Sequence, residues 1–246
     1  MIYYEEYGSR NNPTIVFLHG ANLVQSFFKQ YCFSDRYNLI VPHITGYGKE
    51  AGTVYTTEKA MADITELIKS LDRKVILTGF SLGAQLAVKL VSEHEELFYG
   101  VIAVSPWIIK ERDFLEKVVK QNDKAFKMMK FKPMIRLSGK MMGLDKKNTD
   151  ELVEYYLSVQ KQTILNSVDN GIELDKMPEF FNVKIPVLAI CGEKEYPEVH
   201  QSVKKMAENP NCSYEIWEKA AHNIPTAFSE KFNKKIDEFL KNMDFS

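Results

Sequence analysis

Residues Lys74–Gly83 read Lys-Val-Ile-Leu-Thr-Gly-Phe-Ser-Leu-Gly. A run rich in β-branched and apolar residues ends at Gly79, and Ser81 stands midway between Gly79 and Gly83. The next stretch, Leu82–His94, carries Leu86, Leu90 and Val91 at helical spacing. A strand, a Gly-x-Ser-x-Gly turn and a helix, in that order, form the context of a nucleophile elbow. The spacing has a physical reason. The serine must sit on a tight, strained turn that pushes its hydroxyl clear of the sheet. Side chains in place of Gly79 or Gly83 would collide with the turn and with neighbouring strands. The N-terminus of the following helix then favours negative charge developing beside the serine.

Working outward, Tyr3–Tyr7, Thr14–Leu18 and Asn38–Val41 read as earlier strands, and Val101–Val104, Pro186–Ile190 and Ser213–Trp217 as later ones. Thr57–Leu71 reads as a helix through Met61, Ile64, Leu67, Ile68 and Leu71, and the chain ends in a helix over about Glu230–Asn242. Uninterrupted apolar strands alternating with helices imply an α/β fold with a mostly parallel central sheet and helices on both faces. Between Trp107 and Ile185 no strand is legible. That region is helical in pattern, with Asn148 and Thr149 as N-caps, Asp150 and Glu151 in the first turn, and Gly171 as a helix end. The expectation is one domain over 1–246, with a core of 1–107 and 185–246 and a helical cap insertion at about 108–184. The insertion holds six of the ten methionines, among them Met128 and Met129, and methionine suits an adaptable pocket wall.

Composition narrows the function classes. The chain has 246 residues, 45% hydrophobic and 26% charged, with a net charge of −1. This is globular composition. It offers no net basic field for nucleic acid or an anionic membrane, so neither is expected as a partner. Cys32, Cys191 and Cys212 form no C-x-x-C pair, and no metal cluster or cofactor motif is present. The odd cysteine count and the N-terminus Met-Ile-Tyr-Tyr-Glu-Glu, which is not that of a signal peptide, point to a cytoplasmic location. The longest apolar runs are far too short to span a bilayer.

A serine needs a base and the base needs an orienting acid. His222, directly after the last predicted strand, is the base. His94 reads as a helix C-cap and His200 as a surface residue. The loop Cys191-Gly192-Glu193-Lys194-Glu195-Tyr196-Pro197 offers Glu195 as the acid, with Glu193 as the alternative. The backbone N–H of Leu82 supplies one oxyanion donor. The loop after Thr14–Gly20 supplies the second, from Ala21 or else Asn22. Asn22, Phe80, Trp107, Met128 and Met129 are the candidate pocket residues.

At these residues the chain resembles the α/β-hydrolase superfamily along its whole length, and within it the small bacterial lid-bearing serine hydrolases. His19-Gly20 is similar to the family's segment before the oxyanion residue, Gly79–Gly83 to its elbow, Gly192–Glu195 to its acid loop, and Ala221-His222-Asn223 to its histidine loop. The order Ser81, Glu195, His222 is that of the family. Two positions depart from it: Glu195 and His43 both stand where relatives usually carry Asp. The resemblance implies a serine hydrolase of small carboxylic esters or thioesters, acting on a small-molecule acyl substrate through an acyl-enzyme and needing no cofactor. The same residues would serve a C–C bond hydrolase or lyase. A low-turnover ligand receptor or signalling protein that keeps the pocket is a third reading. Oligomeric state is not legible.

Overall fold

The computed structural model describes residues 1–241 together with 243 and 245. Strands β1 (Tyr4–Tyr7), β2 (Thr14–Leu18), β3 (Asn38–Pro42), β4 (Val75–Phe80), β5 (Phe98–Val104), β6 (Val187–Gly192) and β7 (Cys212–Trp217) lie in one sheet in the order β1-β3-β2-β4-β5-β6-β7. Only β1 runs antiparallel, pairing Tyr4 with Pro42 and Tyr7 with Leu39 at the edge. The other neighbouring pairs are parallel. Strands β2, β3, β4 and β6 are buried at every residue, as expected of parallel strands covered on both faces.

Helices α1 (Thr57–Ser70) and α2 (Leu82–Glu93) face one side of the sheet. The Thr56 hydroxyl caps α1 by accepting the Lys59 N–H at 3.2 Å. Helix α2 is buried nearly all round, because it runs beneath the centre of the sheet. The terminal helix (Ser229–Leu240) seats Phe232, Ile236 and Leu240 on the other face, beside 3₁₀ turns over Val24–Asp35. Each such fully buried side chain contributes roughly 1.5–3 kcal/mol. Those 3₁₀ turns were not legible in the sequence; they break at Gln25 and Phe27 and show no sustained 3.6 period. Asn242, the expected last residue of the terminal helix, lies outside the described residues.

From β2 the chain steps to β3 on one side and returns to β4 on the other. A crevice therefore opens at the carboxyl ends of β2 and β4, where open α/β sheets hold their sites. Ser81 directly follows β4, and Gly20 and Ala21 follow β2.

Four helices fill the strand-free stretch: α3 (Arg112–Met129), α4 (Lys132–Met141), α5 (Lys146–Ser158) and α6 (Lys161–Val168). The predicted caps shift here. Asp145, not Asn148 or Thr149, starts α5, because its carboxylate accepts the Asn148 N–H at 2.8 Å. Helix α6 ends at Val168, and Gly171, at φ +69°, sits in the turn beyond it. Tyr155 of α5 docks on the body: its hydroxyl donates to Asn22 Oδ1 at 2.9 Å and its ring stacks on Tyr47. The methionines do not form one pocket wall. Met128 is 63% exposed, Met134 and Met141 also face outward, and Met177 is buried in the main core.

Candidate active site

Ser81 holds φ +54° and ψ −114°, a conformation in which a side-chain-bearing residue is strained by roughly 1–3 kcal/mol. The surroundings enforce it. The Ser81 N–H donates to Val104 O at 2.8 Å, while its own carbonyl accepts the N–H groups of Ala84 and Gln85. The flanking glycines are required by close approach. A Cβ on Gly79 would lie 2.2 Å from Gly83 O, and one on Gly83 would lie 2.0 Å from Leu18 O. Both obstacles are backbone and have nowhere to go.

His222 Nε2 lies 2.9 Å from Ser81 Oγ, and His222 Nδ1 lies 2.7 Å from Glu195 Oε2. The carboxylate can only accept, so Nδ1 carries the proton and Nε2 is left to accept the serine hydroxyl. The imidazole is 54% exposed, whereas the Glu195 side chain is 2% exposed. Glu195 Oε1 is occupied as well, by Ser105 Oγ at 2.7 Å and the Gly192 N–H at 2.8 Å. Burial pushes the Glu195 carboxyl up, but the His222 hydrogen bond and charge and these two donors outweigh it and hold it below its ordinary range. Glu193 points elsewhere: its carboxylate accepts the Lys219 N–H at 2.8 Å.

Leu82 directly follows Ser81, and Ala21 follows Gly20 on the loop after β2. Leu82 is the first residue of α2, so its N–H has no intrahelical acceptor. Among the described residues neither it nor the Ala21 N–H is used by another protein group. A Cβ placed on Gly20 would come within 3.4 Å of Ser81 Cβ, which shows how closely the β2 loop passes the nucleophile. His19 tethers that loop. Its Nδ1–H donates to Gly20 O at 2.8 Å and its Nε2 accepts the Ile44 N–H at 3.0 Å. Its ring is fully buried, and burial pulls it down to about 3, so it stays neutral.

A cavity of about 460 Å³ opens on Ser81 and His222, lined also by Gln85, Trp107, Lys194, Tyr196 and Val199. Of the predicted pocket residues, Trp107 is there. Asn22 turns instead to Tyr155. Phe80 is buried beneath the site, its ring 5.0 Å from that of His222. Met128 and Met129 do not line the cavity, because α3 directs Met128 to the outer surface. His43 is turned away from Ser81: its Nδ1 accepts the Lys49 N–H at 2.9 Å and its Nε2 lies 3.7 Å from Glu5. His94 caps α2 as predicted. His200 is no mere surface residue, because its Nε2 donates to Gly192 O at 2.8 Å and braces the acid loop. Ser105, Gln85 and Lys194 were missed in the sequence. For Ser105 the one signal was its place just after the Val101–Val104 strand.

Among the described residues no group of three or more His, Cys, Asp or Glu side chains could hold a metal ion. No described helix is long and apolar enough to cross a membrane.

Known proteins share this architecture. The alpha/beta hydrolase fold family matches residues 13–225. A pimeloyl-[acyl-carrier protein] methyl ester esterase of Wigglesworthia glossinidia brevipalpis is 27% identical over 72% of this chain and 73% of its own length. A Bacillus subtilis protein provisionally named 2-succinyl-6-hydroxy-2,4-cyclohexadiene-1-carboxylate synthase is 24% identical over 77% of this chain and 74% of its own. The crystal structure of a bromoperoxidase from Bacillus anthracis superposes with a TM-score of 0.79 at 19% identity, covering 98% of this chain and 95% of that one.

Proposed function

The chain belongs to the α/β-hydrolase fold family and is an enzyme, and from that premise we propose that it hydrolyses small carboxylic esters or thioesters through an acyl-enzyme on Ser81. The observation that carries this reading is the unbroken hydrogen-bonded series from Ser81 Oγ through His222 to Glu195. A binding protein without turnover would have no need of a strained serine held against an imidazole whose tautomer a buried carboxylate fixes.

His222 Nε2 takes the Ser81 proton as Oγ attacks the acyl carbonyl. Glu195, ionised and sealed from solvent, stabilises the imidazolium that forms. The carbonyl oxygen becomes an oxyanion between the Leu82 and Ala21 N–H groups, where losing one donor would cost about 3 kcal/mol or more of barrier. The imidazolium then protonates the leaving alcohol or thiol. Water deprotonated by His222 releases the acid and restores the serine. The half-exposed imidazole lets water reach that second step directly. The helices α3–α6 form a cap over this edge of the sheet, and the ligand is a small acyl compound. Three free cysteines, two of them buried, fit a reducing cytoplasm.

A second reading, a C–C bond hydrolase or lyase using the same triad, is kept because the Bacillus subtilis relative is named a synthase and not a hydrolase. Treatment with an alkyl fluorophosphonate and peptide mass spectrometry tests the nucleophile. The adduct is expected on Ser81, and an unmodified Ser81 overturns the reading. Hydrolysis of short 4-nitrophenyl esters, abolished in Ser81→Ala, separates ester hydrolysis from C–C chemistry.

A further inference from the structure

The polarity of one buried side-chain series can be worked out completely. Lys110 Nζ and the Ile172 N–H both donate to Asn170 Oδ1, the latter at 3.0 Å. Neither of these groups can accept, so the Asn170 oxygen must face them. The Asn170 amino group then donates to Gln85 Oε1 at 2.9 Å and to Ser167 O at 3.1 Å. Turning either amide over would set donor against donor. The Gln85 oxygen is therefore committed inward, and its Nε2–H₂ is the outer end of the series. Gln85 lines the Ser81 cavity, and among the described residues its hydrogen bond is made through Oε1 and none through Nε2.

The rest of that wall has the same sense. Trp107 Nε1–H is buried without an acceptor among the described residues. Lys194, also lining the cavity, forms no ion pair among them. The carboxylate on this wall, Glu195, is filled by His222, Ser105 and Gly192. The cavity thus presents the uncommitted Gln85 amino group and a cation, with Val199 and the Trp107 ring also on its wall, the buried Trp107 N–H itself facing away from it.

We propose that Gln85 Nε2 and Lys194 Nζ select acyl substrates that carry a carboxylate away from the scissile carbonyl, that is, half-esters of short dicarboxylic acids. The proposal rests on the ester-hydrolase reading for its reaction, but not for its binding site. Gln85 stands four residues after Ser81, its N–H bonded to the Ser81 carbonyl at 3.1 Å, and both line the same cavity, so a short acyl chain attacked at Ser81 has its far end on the Gln85 wall. Gln85 and Lys194 act as specificity residues: they hold the far end of the acyl chain, and their contact is made with a charge, so it is strong.

The experiment compares monoethyl glutarate with ethyl pentanoate, which replaces the distal carboxylate by a methyl group. The wild-type kcat/KM is expected to favour the half-ester about tenfold or more. Lys194→Gln, at an exposed loop position, lowers that ratio severalfold and weakens its salt dependence. Gln85→Glu keeps an acceptor for Asn170 but turns the donor into an anion, and it inverts the ratio. Fluorophosphonate labelling of Ser81 in each variant shows that the fold is intact. A wild-type ratio at or below one, or a ratio that Gln85→Glu leaves unmoved, overturns the proposal. If Ser81 is unlabelled and neither ester is cleaved, it is the hydrolase reading that has failed. Calorimetric titration of Ser81→Ala with glutarate then decides the site by itself: binding that Lys194→Gln weakens severalfold supports it, and no binding overturns it.

Discussion

Replacing Glu195 by Gln removes one charge from the site, and the structure dictates what the amide will do. Its oxygen has two donors to satisfy, the Gly192 N–H at 2.8 Å and Ser105 Oγ at 2.7 Å. The backbone N–H cannot turn away, so the oxygen stays there. Reversing the amide would strand that buried donor at a cost of about 1–3 kcal/mol. The amino group must then face His222 Nδ1, where the carboxylate oxygen stood 2.7 Å away. Nδ1 can meet a donor only by losing its proton, which moves to Nε2. Nε2 now donates to Ser81 Oγ instead of accepting from it, and the base is disabled with its position unchanged. The corresponding acid-to-amide change in a serine protease lowers kcat by about 10⁴ through the wrong tautomer, close to 5.5 kcal/mol of barrier. We expect a loss of about 10³–10⁴ in kcat for 4-nitrophenyl butyrate, with a parallel fall in the rate of fluorophosphonate labelling. Glu193→Gln, whose carboxylate meets the Lys219 N–H away from the imidazole, should stay within about twofold of wild type. Retention of more than a tenth of kcat by Glu195→Gln, or a tenfold fall in Glu193→Gln, would refute the reasoning.

Three further outcomes follow from the same geometry. Gly83→Ala drives a Cβ to 2.0 Å from Leu18 O and 2.7 Å from His19 O; urea unfolding should show a loss on the order of 1–3 kcal/mol or more, and Ser81 labelling should slow as the loop carrying Ala21 is pushed from Leu82, whereas unchanged values of both would contradict the clash. Ser105→Ala removes one of the donors that hold the Glu195 carboxyl below its ordinary range. A depressed carboxyl stabilises the fold above its unfolded pKa and loses that contribution as pH falls through the depressed value, so Ser105→Ala should be less stable than wild type at neutral pH and the two should converge in acid; a gap constant with pH would count against it. Burial pulls Lys110 down to about 8, so between there and its unfolded value the unfolded chain binds the extra proton and the fold gains stability as pH rises. Lys110→Met should therefore lose stability relative to wild type between pH 8 and 10 in paired urea titrations, and a flat difference would disprove the shift.

What the sequence disclosed and what it withheld divide along a physical line. Period and punctuation are local. The Thr14–Leu18 strand, the Leu82–Glu93 helix and the turn between Gly79 and Gly83 lie where pattern put them, because each is decided by a few adjacent residues. The meeting of Ser81, His222 and Glu195, 141 and 27 residues apart along the chain, was legible for a different reason: each stands just past a strand end, and parallel strands bring their carboxyl ends to one edge. The helices between β5 and β6 have no sheet to align them. There Met128 could not be told from a wall residue, since an amphipathic period gives a helix two faces without saying which way the helix lies. Glu193 stayed open as the alternative to Glu195, because two residues apart in a loop is a question of side-chain direction. Gln85 shows the limit most plainly. In sequence it is one polar residue in an apolar helix, where a satisfied core amide is the ordinary reading. Its meaning comes from Asn170, which the stretch between β5 and β6 places against it, and from Lys110 and the backbone N–H of Ile172, which allow Asn170 one orientation. A hydrogen-bond sense passed through three side chains is a property of their arrangement, and it turns an ordinary buried glutamine into a donor aimed at the substrate.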